Sequence, residues 1–168
     1  SQVFHDTMRD AARLAGFAEP VLIESQDAAE CAAVARYLHD TSGRTGRFQI
    51  TSATHDPEQL ATLFAACQNG TLLFTNVDTL GDEPRERLLT EIKNAVGVRV
   101  ILAATAADDT LRERFRSFLL RLATLRERRL DLPLLVHYFT LQYNLHAGAH
   151  AYLTQAEVDD LMTTQYPE

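Results

Sequence analysis

Thr71-Leu72-Leu73-Phe74-Thr75-Asn76-Val77 is the most strand-like stretch of the chain, apolar along its length and introduced by the turn signal Asn69-Gly70. After it, Glu83 to Ala95 carries the spacing of an amphipathic helix, and Val98 to Ala104 is a second β-branched apolar run. Parallel strands need a crossover of a dozen or more residues, usually a helix, so strand, helix and strand in this order predict a βαβ unit. Reading back toward the amino terminus, the alternation continues. Asp56-Pro57-Glu58-Gln59 places a capping residue before a proline, the opening of a helix to about Ala66. Phe48 to Thr51 reads as a short strand behind the glycine-containing loop Ser42 to Arg47. The run Gln26 to His39, capped by Ser25, reads as a helix with a small-residue face, and Val21 to Ile23 after Pro20 as a buried strand. A first helix is expected from Asp6, as its N-cap, to Ala15, with Gly16 ending it.

The pattern therefore predicts a three-layer α/β domain, a mostly parallel sheet with helices on both faces. Beyond Asp108 the strand signal fades. Helices are expected over Thr110 to Leu120, over Leu132 to Leu145, and after Thr154, where Thr154-Gln155-Ala156-Glu157 has the form of a capping box. The last two make a short helical tail.

Composition agrees with one compact domain, or one with a small appendage. The chain has 168 residues, 46% hydrophobic and 23% charged, which excludes disordered, collagenous and coiled-coil builds. Two cysteines, Cys31 and Cys67, make no disulfide framework. No apolar run approaches 18 residues and the start lacks a secretory pattern, so a cytoplasmic protein without membrane contact is expected. The net charge is -7, which opposes nucleic-acid binding over most of the surface. Yet seven arginines stand between Arg112 and Arg129 against only Glu113 and Glu127, a basic stretch on an acidic body. Such a stretch suits self-association or an acidic protein partner.

At this point particular residues add to the pattern. Pro20-Val21-Leu22-Ile23, Val34-Ala35-Arg36, His39, Ser42 and Arg44 stand at mutually fixed spacings. Gly70-Thr71-Leu72 with Phe74, and Val98-Arg99-Val100-Ile101 with Ala103-Ala104-Thr105, form two further blocks. Leu125-Arg126-Glu127-Arg128-Arg129, Asp131, Pro133-Leu134-Leu135 and Tyr138-Phe139 form the most specific one. Together they resemble the AAA+ domain of bacterial enhancer-binding proteins, the activators of sigma-54 RNA polymerase. The blocks are similar to that family's first strand and P-loop helix, its Walker B strand, its sensor strand, and the signature between core and helical lid. The resemblance implies a P-loop NTPase-like core over residues 1–131 and a partial helical lid over residues 132–168.

The departures fall on the chemistry. A P-loop uses glycines so that backbone N–H groups approach phosphate, and a lysine to neutralise it. Where the family has Gly-Glu-x-Gly-Thr-Gly-Lys-Glu, this chain has Ser25-Gln26-Asp27-Ala28-Ala29-Glu30-Cys31-Ala32. Glu30 brings a carboxylate to the expected phosphates, and one like charge about 5 Å away costs ~3 kcal/mol at an effective dielectric near 20. The Walker B acidic pair falls at Thr75 and Asn76, neither of which can polarise water or hold magnesium as a carboxylate does, and the sensor asparagine at Ala106. Ser25, Ala28, Glu30, Cys31, Thr75, Asn76 and Ala106 thus mark a vestigial nucleotide site. The resemblance with these losses implies a protein without cofactor or ATPase activity, a protein-interaction module in transcription regulation. The alternative is an ATP-binding regulator subunit active only in a mixed ring with an intact paralogue.

Two further departures bear on partners. Between Leu63-Phe64 and Ala66 the family inserts a long hairpin that touches the sigma factor; here it is missing, so direct contact with that factor is not expected. Phe115-Arg116 and Arg121-Leu122 look like the two arginine-finger positions with a residue deleted between them, and the strand that follows is cut to about Leu122 to Leu125. Arg116, Arg121, Arg126 and Arg128 are therefore candidates for an interface with a second copy or a related AAA+ activator. The other reading is a solvated helix face paired with Glu113 and Glu127.

The remaining chemistry-bearing residues point to structural roles. His146 and His150 are four apart, but Gly148 weakens any helix between them and no cysteine or acid completes a metal site. Cys31, flanked by Glu30 in an alanine-rich helix, reads as an inert thiol rather than a nucleophile. Asp78 closes a strand as a phosphoacceptor would, without the acidic pair such a site needs.

Overall fold

A computed structural model describes residues 2–124, 127–133, 136–137, 140–141, 144 and 148–164. The chain divides into two compact units, Asp6–Leu122 on one hand, and Ser1–His5 with Ala123–Glu168 on the other. The division falls after Leu122.

The larger unit is built on five parallel strands, β1 (Val21–Glu24), β2 (Phe48–Ser52), β3 (Thr71–Thr75), β4 (Arg99–Ala104) and β5 (Leu119–Arg121), in the order β2-β3-β4-β1-β5. The central strands β1, β3 and β4 are buried along almost their whole length, as strands covered on both faces must be. Five helices accompany them: α1 (Gln2–Ala15), α2 (Ala28–Thr41), α3 (Pro57–Ala66), α4 (Asp82–Asn94) and α5 (Asp109–Arg114). Leu60 of α3, Leu88 and Ile92 of α4 and Leu111 of α5 pack with Leu72, Phe74, Val100 and Leu102 on one face of the sheet. Ala11 and Leu14 of α1 and Cys31, Val34, Ala35 and Leu38 of α2 pack with Ile23, Leu73, Ile101 and Leu120 on the other. Two apolar layers on opposite faces of one sheet make the three-layer α/β domain that the alternation predicts.

Local chemistry fixes most boundaries. Asp56 caps α3 by accepting from the Glu58 N–H at 3.0 Å, with Pro57 at the first helical position. Asn69 takes a positive φ of 55°, and at Gly70 any Cβ would collide with the Arg47 carbonyl, so the turn into β3 requires glycine. The boundaries of α1, α5 and β5 differ from the sequence pattern. α1 begins at Gln2, so Asp6 is not its N-cap but lies within it, paired with Arg9 at 3.0 Å. α5 ends at Arg114 instead of continuing to Leu120, and β5 occupies Leu119–Arg121 instead of Leu122 to Leu125. The cause is tertiary: the Phe118 carbonyl accepts from the Leu22 N–H at 3.0 Å, which draws this segment into the sheet beside β1.

In the smaller unit, Glu127 accepts from the Thr124 N–H at 2.8 Å and Arg129–Asp131 forms a 3₁₀ turn. Asn144 closes a loop with Ala151 through two hydrogen bonds of 2.8 Å. α6 (Gln155–Thr163) begins at Thr154 with the expected capping box, and the Thr154 N–H and hydroxyl hold the Glu157 carboxyl below its usual range. Half of the helix expected over Leu132 to Leu145 falls outside the described residues; residues 132–133, 136–137, 140–141 and 144 are helical. Among the described residues no helix is long and apolar enough to cross a membrane.

Candidate functional site

In an open parallel sheet, ligands meet the carboxyl ends of the strands, where the loops gather. Here that edge is formed by the residues after β1, β3 and β4.

Ser25, immediately after β1, is buried and donates its backbone N–H to the Ala104 carbonyl at 3.1 Å, which ties β1 to the end of β4. Its hydroxyl accepts from the Asp27 N–H at 3.1 Å and donates to Glu30 Oε2 at 3.2 Å. Ser25 is therefore not the cap of α2. Asp27 is: its Oδ1 accepts from the Ala29 N–H at 2.8 Å and the Glu30 N–H at 3.4 Å. Aspartate caps as well as serine does, and Ser25 is already drawn into the sheet end. Ala28 is the first helical residue, so only Ser25, Gln26 and Asp27 link strand to helix. Cys31, one turn on, is buried, and its thiol is pushed up to about 12 by burial, reinforced by the charges of Glu30, Asp27 and Asp78. It is a neutral thiol packed in the core.

After β3, Thr75 is half-buried and donates its hydroxyl to the Thr51 carbonyl of β2 at 3.3 Å. Asn76 takes a left-handed φ of 58°, tolerated by asparagine, and starts the 3₁₀ turn Val77–Thr79. Both are spent on backbone geometry. Asp78 adds a further acidic group to this edge, one that the sequence pattern does not place in the site. Its Oδ2 accepts from the Thr105 N–H at 3.1 Å and the Ala106 N–H at 2.9 Å, joining the loops after β3 and β4. Ala106 contributes only that backbone donor.

The arginines divide. Arg112 of α5 grips the buried Glu24 at the end of β1, Nη2 to Oε1 at 2.6 Å and Nε to Oε2 at 3.2 Å; this hydrogen bonding and the carboxylate charge raise its pKa further. Arg114 donates to both carboxylate oxygens of Glu86 on α4 at 2.7 Å. Arg116, in the turn after α5, is exposed and pairs with Glu113 at 3.5 Å. Arg121 is exposed on the edge strand β5. Arg128 is buried, so it is not part of an exposed basic stretch, and Arg126 lies outside the described residues. His150 is exposed and His146 lies outside the described residues, among which no His, Cys, Asp and Glu group is arranged to hold a metal.

The amides at the start of α2, which would receive an anion, receive Asp27, with Glu30 next to them, and the neighbouring arginine is held by Glu24. The edge satisfies most of its own polar groups, while among the described residues Asp78 Oδ1 stays buried without a hydrogen-bond partner.

Comparison with known proteins fits this architecture. A family model described as the sigma-54 interaction domain matches residues 1–135. Among solved structures, NtrX from Brucella abortus, determined in complex with ATP, superposes with a TM-score of 0.79 at 20% identity, over 99% of this chain and 47% of that one. The P-loop NTPase domain of the sigma-54 transport activator from E. coli gives 0.56 at 19% identity, over 70% of this chain and 94% of that one. AMPPCP-bound DnaA from Aquifex aeolicus gives 0.60 at 15% identity, over 96% and 56%. At these identities the likeness is one of fold, and the chain spans about half the length of the NtrX chain. No curated protein matches the sequence.

Proposed function

The chain belongs to the sigma-54 interaction domain family, and on that premise we propose that it is a non-catalytic AAA+ module that acts in bacterial transcription regulation by docking on a protein partner. The observation that carries this reading is the Asp27 carboxylate seated on the Ala29 and Glu30 amides of α2, where a bound nucleotide would need to place its phosphates. A second anion there would face Asp27 and Glu30 without the lysine that a P-loop supplies. In the cytoplasm the partner is a second copy of the chain or a related AAA+ activator. The sigma factor itself is not the partner: α3 runs unbroken through Leu63 to Ala66, where the family's contacting hairpin is inserted. DNA is not the partner either, given a net charge of -7 and arginines consumed by carboxylates.

Calorimetry with magnesium and ATP or ADP tests the reading. The expected result is no dissociation constant below millimolar, and a micromolar one overturns it. Charge reversal at Arg116 and Arg121 is expected to weaken self-association, or binding to a related activator, in sedimentation. An unchanged profile removes these arginines from the interface.

A second reading, a subunit of a mixed ring, draws on the exposure of those same two side chains, which are free to approach a neighbour's nucleotide. It predicts turnover by an intact paralogue that falls when Arg116 or Arg121 of this chain is replaced. A scaffold predicts no such dependence.

A further inference from the structure

α5 has six residues, Asp109–Arg114, too few to hold a helix by its own hydrogen bonds. Leu111 and the following Phe115 anchor it in the core, and charged contacts tie it to neighbouring elements. Three carboxylate contacts surround it. Arg112 takes both oxygens of Glu24 at the end of β1. Asp108, its cap, accepts from the Leu111 N–H at 2.8 Å and from Arg85 Nη1 of α4 at 2.7 Å, and this hydrogen bonding, with Arg85 beside it, holds the Asp108 carboxyl below its usual range. Arg114 takes Glu86, also of α4.

These contacts are unequal. The Arg114–Glu86 pair is exposed at both ends and contributes little by itself. In the other two, one partner is buried: the side chains of Glu24 and Arg85 are each 9% exposed. Glu24 without Arg112 would be left a buried, uncompensated charge, so that pair resists opening far more than a surface pair does, whereas Arg85 without Asp108 keeps Asp82 at 2.9 Å.

We propose that Glu24, Arg85 and Glu86 form an internal lock that fixes α5 and the turn bearing Arg116 in one position without any ligand. The lock is a conformational device. It joins β1, α4 and α5 at the sheet edge where a bound ligand would otherwise connect strand ends to neighbouring helices. Its consequence for docking rests on the function proposed above: a partner meets one constant surface around Arg116, whatever the nucleotide supply.

Hydrogen exchange of the full chain tests this, with amides of Thr110 to Arg116 as the readout and those of α3 as the control for global folding. Glu24→Gln is expected to speed exchange of the α5 amides at least tenfold and leave α3 unchanged. Unchanged α5 exchange overturns the lock. Should Glu24→Gln also expose α3, the deciding variant is Glu86→Gln with Asp108→Asn, which leaves the sheet intact: faster α5 exchange supports the lock and unchanged exchange overturns it. A separate arm adds millimolar magnesium-ATP to the unaltered chain. No change in α5 exchange is expected. Added protection means that a ligand completes the position and overturns the ligand-independent lock, whereas nucleotide binding itself, which decides the function proposed above, is read by calorimetry.

Discussion

Arg112 holds Glu24 with two donors across 88 residues of sequence, Nη2 at 2.6 Å from Oε1 and Nε at 3.2 Å from Oε2. This two-point contact uses the planar fork of a guanidinium, which an ammonium cannot reproduce. Glu24 is buried and Arg112 half exposed, so the pair matters through the carboxylate that it neutralises. Arg112→Met is expected to lower Tm by roughly 5 °C and Arg112→Lys by less. Combining Arg112→Met with Glu24→Gln recovers part of the loss, because the orphaned charge is gone. Thermal melts of the four proteins check the order, and a double variant that melts below Arg112→Met would contradict it.

Asp27 gives a prediction about anions. Asp27→Ala removes the cap of α2, at a cost of about 1 kcal/mol, and releases the Ala29 and Glu30 amides. Sulfate stabilises proteins in general, so the informative quantity is the excess over the unaltered chain. The variant is expected to gain more in Tm from sodium sulfate than the unaltered protein does, at ionic strength matched with sodium chloride. Equal gains would mean that Asp27 does not stand in an anion's place.

What the sequence discloses and what it hides follow from the range of the interaction. Asp56-Pro57 and Thr154 with Glu157 specify helix starts through contacts of one turn, and both are readable from local spacing. The same spacing over-extends the Thr110 to Leu120 helix, because Leu111, Phe115 and Phe118 keep a helical period. The structure breaks that period after Arg114, since pairing Leu119–Arg121 with β1 is worth more than another helical turn. The position of the candidate site is legible along the chain, at the loops after β1, β3 and β4. Its occupants are not: Ser25 yields the cap to Asp27 because of a bond to Ala104, and Asp78 joins the site through Thr105 and Ala106. Nothing in the local spacing announces contacts of that separation.

Arg99 shows the same limit inside the core. It stands in the apolar run of β4, fully buried, and donates Nη1 to the Ala15 carbonyl at 2.9 Å and Nη2 to the Leu14 carbonyl at 2.6 Å. Those carbonyls end α1; Leu14's also accepts from the Phe17 N–H at 3.1 Å, and the guanidinium adds a donor to each, which makes it the C-terminal anchor of that helix. Arg99→Leu is expected to destabilise the protein by about 2 kcal/mol in urea unfolding, through the Ala15 carbonyl left buried without its donor, while the Leu14 carbonyl keeps the Phe17 N–H. Exchange at the last turn of α1 should rise more than exchange at α3. Equal changes at both helices would show a general loss of packing instead.

Cys31 supplies the pH dependence. Burial pushes its thiol from the ordinary 9.0 up to about 12, with the Glu30, Asp27 and Asp78 charges adding to the effect. Below pH 9 the thiol is protonated in both folded and unfolded chains and has no influence on stability. Above pH 9 the unfolded chain releases its proton while the folded chain keeps it, so this residue makes stability fall as pH rises toward 12. Arg99, lowered to about 10 by burial, acts in the opposite direction above that pH, which is why total stability is a poor measure. The difference between the unaltered chain and Cys31→Ala isolates the thiol. Relative to Cys31→Ala, the unaltered chain is expected to lose about 2 to 3 kcal/mol between pH 8 and pH 11. A constant difference over that range would mean that the thiol ionises in the folded protein, and hence that the space beside Glu30 admits an anion after all.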